Sequence, residues 1–134
     1  MSLIDQIARH EGLRLKPYRC SAGKMTIGYG RNLEDTGITE PEARILLVND
    51  IARAQQAIHS RLPWSLGLPQ PAQDVLCNMA FNLGVDGLLQ FKQFLAALQS
   101  RDYPTAADEM LNSQWATQVG SRATELARII RGMT

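Results

Sequence analysis

The chain is short of nearly every feature that announces a specialised class of protein. It holds two cysteines and two histidines in 134 residues. Two cysteines make no disulfide framework, so Cys20 and Cys77 are expected as free thiols. With His10 and His59 they form no compact ligand spacing, so no zinc site is expected, nor any other metal or cofactor. An excess of one charge is missing too. Fourteen basic against thirteen acidic residues leave a formal charge of +1. That is no nucleic-acid footprint, and it attracts an anionic surface only weakly. Apolar runs such as Ile45-Leu46-Leu47-Val48 are far too short to cross a membrane. Met1-Ser2-Leu3-Ile4-Asp5 carries neither the basic nor the apolar segment of an export signal. The expectation is a protein made in the cytoplasm and held there at first, with no integral membrane segment. Internal repeats, low-complexity tracts and an interdomain linker are likewise missing. At this length, with 45% apolar and 20% charged residues, one domain with a single core is expected over 1–134.

What is present is concentrated between Glu11 and Gly30. An apolar helical pattern (Leu3, Ile4, Ile7, Ala8) opens at Ser2 and Asp5, which have the spacing of a capping box, and ends near Glu11 and Gly12. The period then changes. Tyr18 and Met25-Thr26-Ile27 read as short strands joined by a hairpin over Ser21-Ala22-Gly23-Lys24. Gly28 and Gly30 bracket Tyr29 and leave backbone open to close approach. An acid at a helix end, facing a polar hairpin with Cys20 and Thr26, is a starting point for acid/base chemistry.

The rest of the chain is helical. Residues 32–38 read as a polar loop. Thr39-Glu40-Pro41-Glu42 is a second capping box, with proline in the first turn. A long helix to about Ser60 should follow, its buried stripe marked by Ala43, Leu47, Ile51, Ala54 and Ile58. After the breaks at 62–64 and 67–71, further helices are expected over about 71–83, stopped by Gly84, over 91–98, and from Asp102 or Thr105 to Leu111. A short element over 113–120 precedes a last helix from Ser121 to Gly132, with Ala123, Leu126, Ala127 and Ile130 inward. The fold class is α+β, mainly helical with a small N-terminal β-hairpin.

One ordered set of residues resembles a known family. Glu11, Cys20 and Thr26 reproduce the Glu-x8-Asp/Cys-x5-Thr spacing of the phage-type lysozymes, or endolysins, and Glu-Gly-Leu-Arg at 11–14 and Thr-Ile-Gly-Tyr-Gly at 26–30 match as well. Asn78-Met79-Ala80-Phe81-Asn82-Leu83-Gly84 and Trp115-x-x-Gln118-Val119-Gly120-x-Arg122-Ala123 are similar to later signatures of the same family. The resemblance implies a lysozyme-like catalytic domain. A small β-containing lobe of about 12–38 would be joined by the long helix to a helical lobe of about 60–134 that also takes in the N-terminal helix. The implied substrate is bacterial peptidoglycan, cut at the β-1,4 bond between N-acetylmuramic acid and N-acetylglucosamine for host cell lysis, in a cleft between the lobes. The implied life history is a monomer released from the host cytoplasm through a holin lesion to act on the wall.

Glycoside cleavage needs a proton for the leaving oxygen and a group to meet the cationic carbon. Glu11 is the acid that the resemblance implies. Taken alone, a glutamate at a helix end is more often a solvated charge. As a donor it must hold its proton, which partial burial and the negative end of the helix favour. Cys20 stands where most of the family carries Asp, and only as a thiolate can it act as a base. Arg14, Lys16, Arg19 and Lys24 are close enough in sequence to favour that anion. Thr26 offers a hydroxyl for water, although threonine is common in strands for packing reasons. Arg122 matches an arginine that pairs with the acid, Asn82 and Gln118 are amides suited to sugars, and Tyr29 lies within the motif. Trp64 and Trp115 at helix boundaries are expected in the core. A lytic transglycosylase and a wall-binding domain without activity are the rival readings. The water-holding Thr26 weighs against the first and Glu11 against the second.

Overall fold

A computed structural model describes residues 2–134. The chain divides into two compact units, one ending at Leu46 and one running from Leu47 to Thr134.

The first unit opens with α1 (Leu3–Glu11). Ser2 caps it, its hydroxyl accepting from the Asp5 amide at 3.1 Å and donating to the Asp5 carboxylate at 2.8 Å. Gly12 ends it at φ +75°, a conformation that side chains resist, and its N–H bonds the Ala8 carbonyl at 2.9 Å. An antiparallel sheet of three strands follows in the order β1-β2-β3, with β1 at Arg14–Arg19, β2 at Met25–Gly28 and β3 at Arg31–Asn32. Thr26 lies opposite Tyr18 on one side and Asn32 on the other. The hairpin is closed by paired bonds, Cys20 N–H to the Lys24 carbonyl at 2.9 Å and Gly23 N–H to the Cys20 carbonyl at 2.8 Å. The third strand is an addition to the expected hairpin. At two residues it is too short to give an alternating pattern in sequence.

The start of α2 (Glu40–Arg61) is fastened to this sheet. Thr39 Oγ1 accepts from the Glu42 amide at 3.3 Å while the Glu42 carboxylate accepts from the Thr39 amide at 2.8 Å, the reciprocal box that the sequence predicts. The same carboxylate takes both ends of the Arg31 fork, at 2.8 and 2.6 Å, and Arg31 also donates to the Gly37 carbonyl at 3.0 Å. One glutamate thus ties β3, the loop and the helix start together.

The second unit is helical. After the body of α2 comes a 3₁₀ turn at Pro63–Gly67, then α3 (Gln70–Leu88), α4 (Lys92–Gln99), α5 (Tyr103–Leu111), α6 (Gln114–Val119) and α7 (Ser121–Arg131). Gly84, at φ +75° and ψ +160°, breaks α3, so its first segment stops where the sequence predicts and a short second one continues to Leu88. The core comes mostly from α3, α4, α5 and α7: Val75, Leu76, Met79, Phe94, Leu98, Met110 and Ile130 are all essentially inaccessible. All four residues expected inward on α7 are buried. The expected stripe on α2 is only half right. Ile58 is buried and Ile51 and Ala54 pack against the core, but Leu47 is 41% exposed and Ala43 is not part of the core. The core reaches α2 only from Ile51 onward. Among the described residues no helix is long and apolar enough to cross a membrane.

Candidate active site

Glu11 is the last residue of α1, and its carboxylate rests on the turn between β2 and β3. A methyl group placed on Gly30 would meet Glu11 Oε2 at 2.8 Å and Cδ at 3.2 Å. Gly30 also has φ +81°, so both its conformation and its missing side chain are used. Gly28 shares the left-handed conformation, at φ +70°, but has open space where a side chain would go. The expected close approach to backbone therefore belongs to Gly30 alone. Glu11 is exposed, not partly buried as expected. No residue of α1 is buried, and Gly12 ends the helix without enclosing the acid.

Cys20 follows the end of β1, half-buried, and Thr26 lies on β2, only 3% exposed. The two are linked through one residue. The Lys24 carbonyl accepts both the Cys20 N–H at 2.9 Å and the Thr26 hydroxyl at 2.9 Å. The Cys20 thiol titrates below its ordinary range. The largest cause is a hydrogen bond from the Lys24 backbone, followed by the Ala22 backbone and the Thr26 hydroxyl, against a smaller opposing effect of burial. The direction agrees with the expected thiolate, but the expected cause is wrong. Arg19 is held by the Gly23 carbonyl at 3.0 Å and by Glu34 at 3.5 Å, and Lys24 pairs with Asp35 at 3.4 Å. Arg14 stacks over the Tyr18 ring at 4.4 Å. Backbone dipoles, not side-chain cations, set the thiol. A hydroxyl has a single proton to give, so Thr26 donates it either to the Lys24 carbonyl or to the sulfur.

Tyr29, between the two glycines, is 53% exposed. The other motif residues lie in the second unit. Arg122 on α7 donates from Nε to Asn78 Oδ1 at 2.8 Å and from its NH2 group to the Asn78 carbonyl at 3.0 Å. Both residues line a cavity of about 390 Å³ with Leu47, Ile51 and Phe81. Asn82 accepts from Trp115 Nε1 at 2.8 Å, which leaves its amide N–H groups free to donate elsewhere. Trp115 is 5% exposed and packs edge-on against Phe91 with ring centres 6.0 Å apart, so it belongs to the core as expected. Trp64 is partly buried against the same core. Gln118 is exposed and lines a separate cavity of about 430 Å³ beside Phe91 and Trp115. The first unit thus gathers Glu11, Cys20, Thr26 and Tyr29, and the second gathers Arg122, Asn82 and Gln118. Asn78 is the site residue that sequence reasoning did not single out. It stands in the quoted motif one helical turn before Asn82, and that spacing was its only signal.

Cys77 is buried, and burial raises its thiol pKa, with the Asp74 carboxylate adding to the shift. Among the described residues no group of His, Cys, Asp and Glu is placed to hold a metal ion.

Comparison with known proteins agrees with this geometry. The phage lysozyme family model matches residues 8–131. An endolysin of Acyrthosiphon pisum secondary endosymbiont phage 1 is 33% identical over 130 residues, spanning 93% of this chain and 85% of that protein. A probable T4-type lysozyme of Dictyostelium discoideum is 28% identical over 158 aligned positions, covering 96% of this chain and 93% of the relative. The pre-baseplate central spike protein Gp5 of Enterobacteria phage T4 is 32% identical over 97% of this chain, which corresponds to only 28% of that larger protein. With the family matched along nearly its whole length, the chain belongs to the phage lysozymes, glycoside hydrolases that degrade peptidoglycan.

Proposed function

We propose that the chain cuts the β-1,4 bond between N-acetylmuramic acid and N-acetylglucosamine by hydrolysis, with Glu11 as general acid, Cys20 as base and Thr26 as the holder of water. Glu11 gives its proton to the glycosidic oxygen as that bond breaks. Water, donating one hydrogen bond to the Thr26 hydroxyl oxygen, adds its own oxygen to the sugar carbon and passes its other proton to the Cys20 thiolate. The observation that carries this reading is the shared Lys24 corner. It brings Cys20 and Thr26 under one carbonyl and supplies backbone N–H groups that favour the sulfur anion. Proton transfer from Cys20 back to Glu11 through solvent restores the starting state.

On this reading Arg122, held by Asn78, supports the acid. Asn82, Gln118 and Tyr29 hold sugar through their amides and phenol ring. The two units together make one catalytic domain over 1–134, acting as a monomer. An endolysin of this kind waits in the host cytoplasm, passes a holin lesion and reaches the wall from the periplasmic side. Mass spectrometry of digested peptidoglycan tests the chemistry. Hydrolysis leaves reducing sugar ends, whereas an anhydro-muramoyl product would replace it with transglycosylation and remove the need for Cys20 as base. Intact glycan would reduce the protein to a wall-binding domain.

A further inference from the structure

A second site lies within the helical unit, lined by none of the residues given a catalytic or sugar-binding role above. A cavity of about 200 Å³ opens between α2, the 3₁₀ turn and the first half of α3. Its wall mixes apolar Ile58, Leu76 and Cys77 with polar Gln55, His59, Gln73 and Ser65. Ser65 is 1% exposed, and among the described residues its Oγ is the buried side-chain polar atom with no hydrogen-bond partner. Its backbone is fully used, with the N–H bonded to the Leu62 carbonyl at 2.9 Å and its own carbonyl accepting from Leu68 at 3.1 Å. The unpaired hydroxyl is therefore no by-product of a loose turn. A buried hydroxyl without a partner is costly, and native interiors meet that demand with protein groups or ordered water.

We propose that this cavity is a built site for ordered internal water, anchored by Ser65 Oγ. Water suits the place in both size and chemistry. The volume holds more than one molecule, and water in a protein interior needs two to four polar partners. The Ser65 hydroxyl can donate one bond and accept two. The Gln73 amide nitrogen already donates to the Leu66 and Leu68 carbonyls, at 3.2 and 2.8 Å, which leaves its oxygen to accept. The Gln55 amide and the His59 ring supply further partners on the α2 side. A charged guest is disfavoured, because no carboxylate, lysine or arginine lines the wall. The water would give the Ser65 hydroxyl the partner that the protein does not, which explains a serine at a position whose neighbours Leu62 and Leu68 are apolar and buried.

The test is the intact protein in solution, with water itself as the probe. Nuclear Overhauser and rotating-frame spectra should show long-lived water contacts to Ser65 and to the Leu76 and Ile58 methyl groups. Pressurised xenon should cause no shifts at those methyls. Ser65→Ala provides a sign test. If the hydroxyl anchors water, its removal strands that water and lowers the melting temperature. If the cavity is dry, removal of an unpaired polar group raises it. Absent water contacts, xenon entry at Leu76, or a stabilised Ser65→Ala protein would each overturn the proposal. The wild-type spectra decide it even where the variant folds poorly.

Discussion

Replacing Gly30 with alanine asks whether the placement of the Glu11 carboxylate limits the reaction, and not only its presence. The added methyl would stand 2.8 Å from Oε2, where ordinary contact begins at 3.4 Å, so the carboxylate oxygen must retreat by roughly 0.6 Å. Since the obstacle is the far end of a flexible side chain, the retreat itself costs little stability. The backbone cost is larger: alanine at φ +81° loses about 1–2 kcal/mol against glycine. Gly28→Ala is the matched control. Its φ of +70° imposes a similar backbone penalty, but nothing lies within 4 Å of its new methyl. Misplacing a reacting group by ~1 Å can cost ~10²-fold in rate, so the smaller shift should cost about tenfold. The assay pairs thermal melting with turbidity clearing of purified peptidoglycan. The two variants should lose similar stability, while Gly30→Ala loses about tenfold more activity. Equal activity losses at equal stability would refute the argument, because the backbone alone would then account for both.

Glu11→Gln keeps size and hydrogen bonding but removes the donated proton, and should lower wall lysis by ~10²-fold or more with an unchanged melting curve. The Glu42 carboxyl is lowered from 4.5 to about 2, chiefly by the Arg31 hydrogen bonds and then by the Thr39 amide. Its contribution to stability is therefore complete above about 4.5 and lost as pH falls toward about 2, and melting temperatures measured over that range should flatten in Arg31→Met. Asn78→Ala removes the acceptor at Arg122 Nε and leaves the carbonyl bond intact, so kcat should fall more than stability, whose loss should stay within about 1.5 kcal/mol. In a Cys77→Ala background, Cys20→Ala and iodoacetamide should each abolish most activity. Cys20→Asp should keep it, with the acid limb of the pH–rate profile moved down, since a carboxylate ionises below a thiol. Full activity in Cys20→Ala would show that the sulfur only packs.

Much of the fold was legible because its boundaries are made by local chemistry. Ser2 and Thr39 each cap the helix that the sequence assigns to them, and Asp102, one of two starts that the sequence offers, caps its own, all through bonds to residues three positions on. Gly12 and Gly84 stop helices by adopting angles that other residues avoid. What escaped notice depends on distant partners or on very short runs. The strand Arg31–Asn32 exists because β2 offers it a free edge. The 3₁₀ turn at Pro63–Gly67 buries Ser65, a residue type that carries no periodic signal. The stripe on α2 was read as continuous because periodicity reports which face is apolar and not where the covering core begins.

The candidate site was legible as a set of spaced residues and not in its electrostatics. The spacing of Glu11, Cys20 and Thr26 survives in the sequence because hairpin length fixes it. The influence of nearby cations on Cys20 was overestimated because sequence proximity counts charges without their partners. Glu34 and Asp35, from the loop after β3, engage Arg19 and Lys24. These exposed pairs are screened by solvent and say little about stability, but they do occupy the charges. The backbone N–H groups of Lys24 and Ala22 remain, and they favour the sulfur anion. Substituting Asp for Cys at such a position changes the acid but not the cradle, since backbone donors serve a carboxylate as well as a thiolate. The Lys24 corner is therefore the constant part of this half of the site. The residue at 20 is the part a sequence can vary while the hairpin goes on placing an ionisable group beside Thr26.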